Sequence, residues 1–274
     1  MKRKILPMDR KTTKIYFTID KNFNPENGLK AAASMGRKCA CPVTYIQSEN
    51  SYNLIQGDSE KARKDFKSKY FVELEIIQQE GSLWKSVSKA AVQDKANMVL
   101  VCAPAEKPGF LGGGMHSVIA QFESPVVFLN EHTQWVDPKN IVMPFDGRSE
   151  TRQKLFRTAE WAKYYFSHVL ILGLAKPSDQ EDKHYVHTYC IQAANKMVDF
   201  QVRHKIEELE VKDKDMVDTV IDRSKGLPDS WISVVSNVEG VFRKSSFQTL
   251  CETSVNPVMI MPFQEVVGTG GVGY

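Results

Sequence analysis

Two aspartates are the residues of this chain best placed to do chemistry. Asp20 closes the apolar run Lys14 to Asp20 (KIYFTID), Asp146 closes Asn140 to Asp146 (NIVMPFD), and each leads straight into a polar turn. A carboxylate at a strand end has two readings: it can accept hydrogen bonds from a bound ligand, or it can cap the turn or helix that follows. The repeated position does not decide between them, because a duplication copies a cap as readily as a site. A second candidate is a stretch of backbone. Gly109, Gly112, Gly113 and Gly114 lie between Pro108 and a helix expected to start near Met115. Flexible backbone ahead of a helix N-terminus can turn unpaired N–H groups toward an anion, and it can equally be a loop that needs positive φ.

Other reactive side chains point to less. His184, His187 and Cys190 recur at steps of three on an expected helix, a spacing that could set all three on roughly one side for a metal. No fourth ligand follows nearby, and Tyr185, Tyr189, Ala193 and Met197 give the helix a mixed face, so these read as structural histidines and no metal is expected. Cys39 and Cys41, one residue apart, are expected at the start of a strand, where side chains two apart share a face, and they read as buried thiols. Nothing resembling G-x-S-x-G sets a nucleophile beside a base, and the pair Glu207 and Glu208 reads as the solvated face of a charged strand. No catalytic residue is assigned, and the chain is not expected to be an enzyme.

The elements that must position these residues come twice. Asp20 and Asp146 are 126 residues apart, and the matched apolar runs SPVVFLN and NPVMIMP open on Pro125 and Pro257, 132 apart. In the second copy Leu155, Ala159, Ala162 and Phe166, at steps of four, three and four, form the stripe of a helix lying on a sheet. HVLILGLA (168–175) is apolar throughout, which marks a parallel strand buried on both faces. FVELEIIQQ and KIEELEV, then ANMVLVCA and DSWISVVS, extend both copies in the same order. The expectation is α/β: two tandem doubly wound five-stranded parallel-sheet domains, over 1–130 and 139–263, with 264–274 a mobile tail. The polar segment Glu131 to Lys139 separates them.

This ordering resembles the universal stress proteins in their tandem form. The resemblance is carried by the first strands ending in Asp20 and Asp146, the fourth strands ANMVLVCA and DSWISVVS with the turn and helix after them, and the final strands PVVFLN and PVMIMP. It implies a Rossmann-like fold, a role in stress response through binding, and ATP as the ligand of some members. In those members the aspartate contacts the adenine end and a glycine-rich loop after the fourth strand cradles the phosphates. Here the span after the fourth strand is shorter than the ATP-binding pattern. The first copy, with its four glycines, is the better candidate. The second keeps only Gly240, with Lys244, Ser245 and Ser246 at the phosphate end, and is expected to bind weakly or not at all. The resemblance also implies that the last strands pair, within the chain as a pseudo-dimer or between chains as a homodimer. A nucleotide-hydrolysing or nucleotidyl-transferring enzyme on the same fold is the alternative; the missing Walker-type lysine loop speaks against it.

Composition narrows the partners. The chain has 274 residues, 42% hydrophobic and 25% charged, which places it among ordinary globular chains. A net charge of +3 does not call for nucleic acid, and the basic start MKRKILPMDRKTTK has no apolar stretch after it, so no membrane partner and a cytoplasmic location are expected.

Overall fold

The computed structural model describes residues 13–93, 96–104, 122, 124–236 and 244–263. Among them ten strands form one sheet: β1 (Ile15–Ile19), β2 (Val43–Gln47), β3 (Leu74–Gln78), β4 (Met98–Cys102), β5 (Val126–Leu129), β6 (Asn140–Phe145), β7 (His168–Ala175), β8 (His204–Glu210), β9 (Ser230–Ser236) and β10 (Val258–Pro262). Their order is β3-β2-β1-β4-β5-β10-β9-β6-β7-β8. Each run of five strands has the order 3-2-1-4-5, parallel throughout. The two runs join at the centre, where β5 and β10 pair antiparallel with Val127 opposite Met259.

Helices cover both faces: α1 (Pro25–Cys39), α2 (Ser59–Tyr70), α3 (Leu83–Gln93), α4 (Leu155–Tyr165), α5 (Gln180–Asp199), α6 (Met216–Lys225) and α7 (Lys244–Thr253), with 3-10 turns at Ser149–Lys154 and Asp213–Asp215. Their starts follow from capping. Asn24 accepts from Glu26 N ahead of Pro25, Asp58 accepts from Glu60 N and Lys61 N, and Asp179 accepts from Asp182 N. Alternate strand residues feed two cores, Ile15, Phe17 and Ile19 on one face and Tyr16, Val99 and Val101 on the other.

Two local expectations are corrected. The buried residues of α4 are Thr158, Ala159, Glu160, Trp161, Ala162 and Tyr165. Leu155 is only partly buried, and Phe166, 81% exposed, is the left-handed residue (φ 58) that ends the helix. The apolar stripe thus ran one residue past the helix. Cys39 is the last residue of α1 and Cys41 lies beyond Ala40, the left-handed cap (φ 53), so neither belongs to β2. Both thiols are buried, and Cys39 lowers the pKa of Cys41 by hydrogen bonding.

The segment between the two strand runs is held by asparagines. Asn130, just after β5, donates to Cys251 O (2.9 Å) in the last turn of α7 and to Ser254 O (2.8 Å) just beyond it, and accepts from His132 N and Thr133 Oγ1. Asn27 of α1 donates to Thr133 O and accepts from Trp135 N, while Trp231 of β9 donates to Val136 O. The segment is therefore tied to elements of both halves. Among the described residues no helix is long and apolar enough to cross a membrane.

Candidate functional site

In each run the strand order reverses beside the first strand, between β1 and β4 and between β6 and β9, which in an open α/β sheet is where a crevice forms outside the carboxyl ends of the strands. Asp20 and Asp146 sit at these two points, 3% and 7% exposed. Both do the turn-closing work that the sequence allows. Asp20 Oδ1 accepts from Asn22 N (2.8 Å) and Asn22 Nδ2 (3.0 Å), and Asp146 Oδ1 accepts from Arg148 N (3.2 Å). Asp20 Oδ2, by contrast, accepts no hydrogen bond from the described residues, which leaves one carboxylate oxygen available to a donor in the first crevice.

The loop after β2 shapes that crevice. Lys21 N donates to Asn50 O, Tyr52 N donates to Ile19 O, and Ser51 bridges to Asp20. Tyr45 from β2 donates its hydroxyl to Tyr52 O at 2.6 Å, and burial holds its pKa well above the ordinary tyrosine value. On the far side Asp20 N donates to Cys102 O (2.8 Å), so β1 and β4 stay together to their ends. Gly28 in the first turns of α1 comes so close that a Cβ there would lie 2.7 Å from Ile19 Cδ1 and 3.2 Å from Cys102 Sγ.

The second crevice is built differently. Pairing of β6 with β9 stops at Val142 opposite Ile232, whereas β1 and β4 pair through Ile19 and Cys102. Pro144 has no N–H to continue the ladder and stands just beyond the last pair. Thr158 of α4 then bonds Ser233 of β9 (Oγ1 to Oγ, 2.7 Å). Gly147 lies under Asp182, whose Oδ2 accepts from Lys176 N (2.7 Å); a Cβ at Gly147 would run into Asp182 Oδ1.

Lys154 is the residue that sequence reading missed. It has no exposed surface, its ammonium makes no hydrogen bond, and Nζ lies 4.4 Å from the centre of the Phe145 ring. Burial lowers its pKa to about 7, against the opposing pull of Asp146 and Cys190. Cys190, also fully buried, has its thiol pushed up to about 12 by burial, with Glu208 adding to the rise. One signal could have flagged the lysine: the offset of 126 aligns it with Gly28, a position with no room for a side chain.

The remaining candidates divide. Gly109, Gly112, Gly113, Gly114 and Gly240 lie outside the described residues, and of Lys244, Ser245 and Ser246 only the backbone is described, as the first turn of α7. His184, His187 and Cys190 do not converge: both histidines are exposed, His187 Nδ1 sits 2.9 Å from Glu208 Oε1, and Cys190 turns into the core beside Gly173. No group of three or more metal-binding side chains is assembled among the described residues. Glu207 pairs with Arg223 (2.9 Å) on the edge strand β8. A surface recess of about 550 Å³ lined by Lys64, Lys67, Phe71 and Glu73 lies where α2 leads into β3, at the opposite ends of the strands.

The architecture has counterparts among solved structures. A universal stress protein from Archaeoglobus fulgidus DSM 4304 is similar over 93% of this chain and 97% of its own, with a TM-score of 0.59 and 11% identity. A functionally unknown protein from Pseudomonas aeruginosa PAO1 is similar over 92% and 93%, with a TM-score of 0.60 and 11% identity. The cytoplasmic domain of a prokaryotic cation chloride cotransporter is similar over 90% and 94%, with a TM-score of 0.55 and 11% identity. No family model matches the chain, and no curated protein matches it. The fold is therefore the α/β fold of universal-stress-protein-like domains with a large, mostly parallel sheet.

Proposed function

We propose that this chain is a cytoplasmic stress-response protein of the universal stress type, with two copies of the domain (1–130 and 139–263) paired as an intramolecular pseudo-dimer, that binds an adenine nucleotide and works by ligand-linked stability or partner choice without turnover. The observation that carries the reading is the unspent Oδ2 of Asp20 at the reversal point of the first strand run. A carboxylate oxygen that accepts from no donor among the described residues, on a residue only 3% exposed, can accept from a ligand's N–H donor, such as an adenine amine. Asp20 would hold that end of the nucleotide; Gly109, Gly112, Gly113 and Gly114 would take the phosphates through backbone N–H groups. Calorimetric titration of the chain with ATP tests it: a saturable isotherm that Asp20→Asn weakens at least tenfold supports the reading, and an isotherm indifferent to that substitution removes Asp20 from it.

The likeness to a transporter's cytoplasmic domain supports a second reading, in which the same crevice serves as the sensing site of a module that acts on a membrane protein. Flotation of the chain with vesicles that carry a cotransporter of that class, and not with empty ones, separates it from the first.

A further inference from the structure

The residues at the ends of β1 and β6 correspond in register and differ at one decisive position. We infer that Lys154 is the resident occupant of the second pocket: its side chain fills the space and gives Asp146 a counter-charge, closing that half to the ligand that Asp20 would accept. The inference rests on the reading of Asp20 given above and adds which half binds and what keeps the other shut.

The register establishes the correspondence. Asp20 and Asp146, Ile19 and Phe145, and Gly28 and Lys154 are each 126 residues apart. So are Ala40 and Phe166, the left-handed residues that end α1 and α4, so the alignment holds from strand to helix end. At Gly28 the side chain of Ile19 and the thiol of Cys102 come too close for a Cβ. At 154 the same place holds four methylenes and an ammonium, none of it exposed, with Nζ over the Phe145 ring that replaces Ile19. Room for it is compatible with β9 leaving β6 after Val142, beside Pro144. Methionine would fill such a space without a charge to desolvate. What the ammonium adds is attraction to Asp146, the one carboxylate found acting on it.

Native mass spectrometry of the full chain with ATP tests the inference. The expected count is one nucleotide for the unmodified chain, none for Asp20→Asn, one more than the unmodified chain for Lys154→Ala, and loss of that extra nucleotide when Asp146→Asn is added. An unmodified chain that binds none refutes the reading of Asp20, yet Lys154→Ala still decides on Lys154 by rising from none to one or staying at none. Equal counts for Lys154→Ala and the unmodified chain overturn the inference. Should the alanine variant fail to fold, n-propylammonium, which matches the deleted group, is the second measurement. Recovery of a cooperative melt with propylammonium and not with propanol supports a resident cation, and no recovery with either overturns it.

Discussion

The ammonium of Lys154 lies 4.4 Å from the centre of the Phe145 ring with no hydrogen-bond acceptor, while its counterpart in the first half is Gly28. A buried charge in that position makes stability depend on pH. Its folded-state pKa, about 7, is below the unfolded value of 10.5. Between those values the unfolded chain binds the extra proton, so stability rises with pH; at and below about 7 the whole penalty is present. Asp146 and Cys190 are the titratable groups that act on it, and both are retained in the test. Lys154→Met is therefore expected to stabilise the chain by on the order of 3–5 kcal/mol near neutrality and below, with the gain shrinking toward zero above about pH 10. Urea midpoints at about pH 6 and about pH 10 check this, and a gain that stays level with pH would contradict it.

Gly28 makes the reciprocal prediction. A methyl group there meets Ile19 Cδ1 at 2.7 Å and the buried Cys102 thiol at 3.2 Å, both in a closed core. Overpacking outweighs the ordinary helical advantage of alanine over glycine, so Gly28→Ala should destabilise by about 1–3 kcal/mol. An unchanged or higher Tm would mean that Ile19 can give way.

Asn130 ties the end of β5 to the carbonyl oxygens of Cys251 and Ser254 in the other half. Asn130→Ala takes the amide from those two acceptors in a buried setting and leaves the Thr133 hydroxyl and Ser254 O only the long bond they make to each other (3.5 Å). A loss of about 2–4 kcal/mol in urea unfolding is expected. If the loss falls below about 0.5 kcal/mol, water is replacing the amide at no cost.

The central pairing carries the largest effect. Val126 and Val258 are fully buried beside the β5 and β10 seam, where Val126 faces Ile260 and Val258 faces Phe128. Aspartate at either place puts an unpaired carboxylate in the core, and a loss of more than about 3 kcal/mol, or separation of the halves seen as two melting transitions, is expected. A single unshifted transition would contradict the role of this seam.

How much of this could be read in the sequence follows from what is local. The apolar runs that end in Asp20 and Asp146, and those opened by Pro125 and Pro257, are visible because a doubly buried parallel strand is apolar along its whole length. The turn-closing role of the aspartates was legible too, as the bonds to Asn22 N and Arg148 N bear out. Phe166 was misassigned because a stripe marks a face and not where the helix stops; the left-handed cap decided that. Lys154 could not be found by periodicity. Lysine on a helix ordinarily reaches water, and its burial depends on Phe145, Asp146 and Cys190, from other elements, meeting over it. Pro144 was read as part of a strand, and it pairs with Leu172 of β7; that the ladder to β9 stops at Val142 depends on a strand far along the chain and was not legible.

The central claim is that Asp20 makes the first crevice a nucleotide site. The direct measurement is the melting of the full chain and of Asp20→Asn with and without ATP. At a hundredfold excess of ATP over its Kd the unmodified chain should gain about 2.7 kcal/mol of stability, and the asparagine variant far less. No shift in the unmodified chain at millimolar ATP, or an equal shift in both proteins, would contradict it.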